Sequence, residues 1–191
     1  MQVEHQLSSK SGILLSRIAD GSEAALQEFY ESYHARIYGF ALKRLNDPAD
    51  AADVLNDVML EVWRSAGRFE GRSKPLTWVL GIAYYKVSDI LRRRGRGSQS
   101  IELDEEMADE NSPVATEILS GLEDAKQVRR CVDQLSDAHR VVVHLAFFED
   151  LSYPEIAEIA DCPVGTVKTR MFYAKQLLKR CLSQLSDGTT G

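Results

Sequence analysis

The sequence has little of what metal, redox or membrane chemistry requires. Its 191 residues include three cysteines and four histidines, with no CxxC pair and no His–Cys cluster at ligand spacing. Cys131, Cys162 and Cys181 are odd in number and far apart, and are expected to be reduced thiols filling small core positions. His139 and His144 are five residues apart, which does not stack them on one helical face, so a metal-binding pair is not expected. No apolar run approaches the roughly 20 residues of a membrane-spanning helix. The opening MQVEHQLSSKSG lacks a basic segment followed by an apolar one, the mark of an export signal. These absences point to a cytoplasmic chain with no direct membrane insertion. Period-two alternation is missing too, which leaves an all-α fold.

The net charge of −6 argues against nucleic-acid binding only until it is located along the chain. Residues 1–97 hold 14 Lys/Arg against 12 Asp/Glu, residues 98–125 hold none against 9, and residues 126–191 hold 9 against 8. The acidity is concentrated in one short segment, and the flanking segments are neutral to slightly basic with clustered cations. That middle segment, beginning SQSIELDEEMADENSP, is also poor in large apolar residues and reads as a linker; Val114 to Ala125 could begin a helix continuing toward Leu135. The expected architecture is two small helical domains, 1–97 and 126–191, joined by a flexible acidic linker over 98–125.

In the first domain Leu26, Phe29, Tyr33, Ile37, Phe40 and Leu45 recur at helical spacing and predict one buried stripe. Asp47-Pro48 supplies an N-cap and a first-turn proline for a helix running to about Ala66. On it Asp50, Asp53, Asp57 and Glu61 form an acidic stripe opposite Val54, Val58 and Val62. Paired carboxylates could serve acid/base or metal chemistry, but no histidine, cysteine or Gly-rich loop converges on them. A solvated or protein-docking face is the simpler reading, and no catalytic residue, metal or cofactor is expected.

Gly67, Gly71 and Pro75 punctuate a loop before a further helix from Leu76 to about Arg94. Between Arg68 and Arg96 eight cations stand against two acids, interleaved with Phe69, Trp78, Tyr84 and Tyr85. Cations that follow phosphates and aromatic faces that accept splayed bases suit unstacked nucleic acid. Against that, Trp78 with Val79 and Ile82 could be core, and the terminal arginines a solvated helix end.

The last segment shows helical stretches near 126–134, 137–148, 153–160 and 164–182. Ser152-Tyr153-Pro154-Glu155 fits a capping box, Ile156, Ala157 and Ala160 form a small inner face, and Asp161-Cys162-Pro163 makes a tight turn. On the next helix Val167, Met171, Ala174 and Leu178 face inward, leaving Thr166, Lys168, Thr169, Arg170, Tyr173 and Lys175 outward. Hydroxyls and cations on such a helix suit phosphate and base-edge contact in a major groove. A hairpin whose basic face is merely solvated is the alternative, and Tyr173 could pack on its own domain. The ordered combination of box, small crossing face, turn and basic helix favours DNA.

Three motifs carry a resemblance over nearly the whole chain. DAADVLNDVMLEVW, PLTWVLGIAYYKVSDILRRR and LSYPEIAEIADCPVGTVKTRMFYAKQLL resemble, in order, the second conserved region, the promoter-melting region and the fourth region of small bacterial sigma factors of the extracytoplasmic-function type. The resemblance implies a non-enzymatic initiation factor for stress-response transcription, with core RNA polymerase, promoter DNA and an anti-sigma protein as partners and no small-molecule substrate. Polymerase docking falls on Asp53, Asn56, Asp57 and Glu61. Reading and melting of the −10 element falls on Phe69, Arg72, Lys74, Tyr84, Tyr85, Lys86, Arg92 and Arg93. The −35 element falls to Thr166, Lys168, Thr169, Arg170, Tyr173 and Lys175. The chain departs from the family at Asn56, commonly Gln, at Met59, commonly Phe, at Tyr85, often Asn, and at Asp161, usually a turn glycine. A helix-turn-helix regulator with an N-terminal sensing domain is the competing function.

Overall fold

The structure is a computed structural model that describes residues 2–95 and 125–187. The described residues form eight α-helices and one 3-10 turn, with no strand among them. The expected linker therefore lies almost wholly outside the described residues, as does the proposed helix onset at Val114.

The N-terminal helices are α1 (Gln2–Ala19), α2 (Glu23–Leu45), α3 (Pro48–Ser65), a 3-10 turn (Ala66–Arg68) and α4 (Pro75–Arg93). Their ends follow local chemistry. Ser22 caps α2 by accepting from the Ala25 amide at 3.3 Å. Asn46, left-handed at φ 53°, ends that helix. Asp47 then caps α3, its Oδ1 accepting from Ala49 N at 2.8 Å and Asp50 N at 3.2 Å, with Pro48 in the first turn. Helix α2 lies against α1, α3 and α4 and supplies the centre of the core. Phe29, Tyr33, Ile37, Phe40 and Leu45 of the expected stripe are buried, whereas Leu26 is only half-buried. Val54, Val58 and Val62 of α3 and Val79, Leu80, Ala83 and Val87 of α4 meet them. The Tyr33 hydroxyl donates to Ser11 Oγ at 2.8 Å in this interior, and burial pushes the phenol pKa up.

The C-terminal helices are α5 (Ala125–Asp133), α6 (Asp137–Phe147), α7 (Tyr153–Ala160) and α8 (Val164–Asp187). Helix α8 packs on α5 and α6. Leu135, Val142, Leu145, Ile156, Val167, Met171 and Ala174 form the core. One expectation is corrected here: Cys131 on α5 and Cys181 on α8 are joined in a disulfide, and only Cys162 is a free thiol. The helices come together in three dimensions to bring into register two thiols that are 50 residues apart in sequence. The second unforeseen feature is polar. His144 and Glu149 are both buried, with Nε2 and Oε1 3.5 Å apart.

Candidate nucleic-acid interface

Three surfaces carry the residues singled out from the sequence. The first is α3. With its valines turned inward, Asp53, Asn56 and Asp57 are exposed together and Glu61 is half-buried beside them. Leu60, 45% exposed, stands within this acidic face, an apolar residue that the charge pattern did not single out. Asp50 leaves the expected stripe: it is half-buried and ion-paired to Arg94.

The second surface is the loop before α4 and the helix itself. Phe69 packs its ring edge-on to Trp78 at 5.5 Å, both half-buried, so the pair is neither deep core nor free platform. Of the three residues that could have been core there, only Val79 is fully buried. Arg72 and Lys74 are exposed on the loop, Arg72 with its guanidinium 2.5 Å from Glu70. The two tyrosines differ. Tyr84 is half-buried with the Arg44 guanidinium 5.0 Å from its ring centroid, while Tyr85 is 57% exposed and meets Tyr84 edge-on at 6.0 Å. Lys86 is half-buried. Arg92 and Arg93 project from the end of α4 and share the Asp89 carboxylate at 2.5 and 2.6 Å.

The third surface is the helix-turn-helix. Glu155 Oε2 accepts from the Ser152 amide at 2.8 Å, as a capping box requires of the glutamate, and also accepts from the Ser152 hydroxyl at 2.6 Å. Helix α7 closes with Cys162 N donating to Ala157 O at 3.1 Å, and Asp161 is left-handed at φ 48°. A short polar side chain tolerates that conformation better than most, which is why aspartate can stand where glycine is usual. On α8 Val167, Met171 and Ala174 are buried as expected, and Leu178 is half-buried. Lys168 is exposed, and Thr166, Thr169, Arg170, Tyr173 and Lys175 are half-buried. Arg170 does not project freely: its Nη1 donates to Cys162 Sγ at 3.8 Å, back across the turn. Burial, with the Arg170 charge added, holds the His139 pKa below its ordinary value. Arg44, a buried cation, was not legible beforehand, because the apolar periodicity of α2 says nothing of a lone arginine within it.

No group of three or more His, Cys, Asp or Glu among the described residues is arranged to hold a metal ion, and no described helix is long and apolar enough to cross a membrane. Residues 29–97 match the family model for sigma-70 region 2, and residues 125–178 match that for sigma-70 region 4. The chain is 30% identical over 179 residues to ECF RNA polymerase sigma factor SigK of Mycobacterium tuberculosis strain H37Rv, covering 93% of this chain and 96% of the relative. The SigK of Mycobacterium sp. strain KMS is 30% identical over 173 residues, covering 89% of each. The chain belongs to the extracytoplasmic-function sigma factors. Among solved structures its fold is similar to CnrH in complex with the cytosolic domain of CnrY, with TM-score 0.68 and 19% identity, covering 92% of this chain and 98% of that one. It is also similar to the sigma factor RpoE of Bartonella quintana, solved with the anti-sigma factor NepR, with TM-score 0.62 and 23% identity over 82% of this chain and 96% of that one. In this sigma factor region 2 therefore spans most of α2 together with α3 and α4, and region 4 spans α5 to α7 and most of α8. The acidic face and the aromatic-basic helix belong to the first, the helix-turn-helix to the second.

Proposed function

We propose that this sigma factor docks on core RNA polymerase through the exposed face of α3, opens the −10 element with the loop at Phe69–Lys74 and helix α4, and reads the −35 element with α8. The organisation that goes with this is a domain over 1–97, an acidic linker over 98–125 and a helix-turn-helix domain over 126–191, working in the cytoplasm beside polymerase. The observation that carries it is the division of exposed chemistry within region 2: carboxylates and Leu60 on α3, cations and Tyr85 on α4. Two partners of opposite character fit two neighbouring helices.

Asp53, Asn56, Asp57 and Glu61 provide charge and Leu60 an apolar anchor, the mixture a protein surface recognises well. On α4 Tyr85 offers a ring face to an unstacked base, while Arg72, Lys74, Lys86, Arg92 and Arg93 follow the phosphates. Lys168, Thr166, Thr169 and Lys175 fix α8 on duplex phosphates and base edges, with Tyr173 and Arg170 at the same surface. The charge of the C-terminal domain is modest, because a helix delivered by a large partner needs little non-specific affinity of its own. An anti-sigma protein covering these faces would keep the factor idle; the sigma factor RpoE of similar fold was solved in complex with an anti-sigma factor, NepR.

Titration of labelled chain with core polymerase tests the docking assignment. Asp53→Ala with Asp57→Ala should weaken assembly by about tenfold or more, the size of a contact worth over 1 kcal/mol, and leave the melting temperature unchanged. Unchanged affinity would place the docking surface elsewhere.

A further inference from the structure

The three consecutive arginines at the end of α4 do not have the same surroundings. Arg92 and Arg93 stay on their own helix, sharing Asp89, with side chains 76% and 77% exposed. Arg94, by contrast, reaches across to α3, where its Nη2 donates to Asp50 Oδ2, and both side chains are more enclosed, at 35% and 23% exposed. A carboxylate on another helix thus ties this guanidinium down against α3 at the edge of the fold, while its two neighbours pair only within their own helix.

The place of the pair gives it a purpose. Helices α3 and α4 are packed against each other and joined through the 3-10 turn and the loop at one end. Asp50 lies in the first turn of α3, and Arg94 is the C-cap of α4. The ion pair therefore closes the hairpin at the end opposite to its covalent connection. Each charge also has the sign its helix end favours, the carboxylate at the N-terminus of α3 and the guanidinium at the C-terminus of α4. The local backbone supports the arrangement: Asp47 caps the turn that carries Asp50, and the Arg94 amide still donates to Ile90 O at 3.1 Å. Asp53 stands one turn beyond Asp50, and Arg92 and Arg93 directly precede Arg94.

We propose that Asp50 and Arg94 are positioning residues for promoter opening, their ion pair holding the DNA-engaging end of α4 in register with the polymerase-docking helix α3. This rests on the assignment of those two faces under the proposed function. With the pair in place, docking of α3 also fixes where Tyr85, Lys86, Arg92 and Arg93 meet the displaced strand. Without it, the hairpin loses this tie at its open end, and the end of α4 can shift against the docked helix.

The test uses the full chain assembled with core polymerase on a duplex promoter, measuring core affinity, promoter opening by permanganate reactivity, and thermal melting. Arg94→Ala should slow opening by about 2- to 5-fold, the effect of a partly exposed ion pair, with core affinity and initial promoter binding unchanged. Asp50→Asn should slow opening to the same degree. Exchange of the two charges, Asp50→Arg with Arg94→Asp, should recover part of the rate, since it remakes the pair against the helix dipoles. Opening at the unaltered rate in Arg94→Ala, or a charge exchange slower than either single variant, overturns the proposal. If the single variants lose opening only in proportion to lost folded protein, the pair is a stability feature and the proposal also fails. Should the unaltered chain itself fail to open any promoter, the functional assignment falls and takes the proposal with it. Normal opening by the unaltered chain alongside insensitive variants removes the proposal alone.

Discussion

Tyr84 and Tyr85 are adjacent in sequence, and the fold gives them different surroundings. Tyr84 lies half-buried beside the guanidinium of Arg44, itself only 6% exposed, whereas Tyr85 stands out into solvent. Tyr84→Ala should therefore lower the stability of the N-terminal helical unit by about 1–3 kcal/mol through lost packing and cation–π contact. Tyr85→Ala should change stability by less than about 0.5 kcal/mol and impair promoter opening instead. Chemical denaturation and permanganate footprinting of both variants check the division. A destabilised Tyr85→Ala with normal opening contradicts it. From sequence both residues were candidates for base contact and nothing separated them, because the difference lies in a cation from another helix. His139 gives a second residue-scale outcome. Its folded pKa is lowered by burial first and by Arg170 second, so the unfolded chain takes up this proton more readily. Stability from the neutral ring is complete above the ordinary value of 6.5 and is lost as pH falls below it. Thermal melts of the chain from about pH 7.5 to about pH 5.5 should show the C-terminal unit weakening, and His139→Asn should flatten the slope. An equal slope in the variant would assign the effect to another group.

At the scale of elements, helix positions were the most legible feature. Asp47-Pro48 marked the start of α3, and the capping glutamate Glu155 marked that of α7, because each acts on its own backbone within one turn. The core faces of α2 and α3 were legible for a related reason: burial of one stripe imposes the helical period on the apolar residues. What could not be read were contacts between helices. Asp50 and Arg94 are 44 residues apart, and their pairing depends on how α3 and α4 pack, which no local pattern records. The Cys131–Cys181 bridge between α5 and α8 belongs to the same class, and an odd count of dispersed cysteines suggested thiols. Cross-linking over 50 residues removes enough chain entropy to contribute about 4 kcal/mol if the closed state is unstrained. Added reductant, or Cys131→Ser with Cys181→Ser, should lower the melting temperature of the C-terminal helical unit and leave the N-terminal unit unaffected. Calorimetry with and without reductant reads this directly, and identical melts would mean the bridge contributes nothing.

For the molecule as a whole, the acidic total conceals a division of labour. The segment 98–125 carries no cation and nine acids, while the helical units hold the exposed cations of α4 and α8. Family membership follows from matches to two sigma-70 regions and from relatives 30% identical over nearly the full chain. The order of the faces along the sequence, acidic helix, aromatic-basic helix and then helix-turn-helix, was legible before the fold was known, since each has a composition of its own. How individual cations are spent was not: Arg170 turns back to Cys162, and Arg94 to Asp50. Sequence pattern assigns a charge to a face, but only packing shows whether another part of the chain has already engaged it. Promoter selection for core polymerase through those faces is the function proposed for this chain. Its most direct measurement is transcript mapping on fragmented genomic DNA with core polymerase, with and without the chain. A small set of start sites should appear only with the chain, share two spaced sequence elements, and disappear when Tyr85 and Lys168 are both changed to alanine. Transcripts that are the same with and without the chain would contradict it.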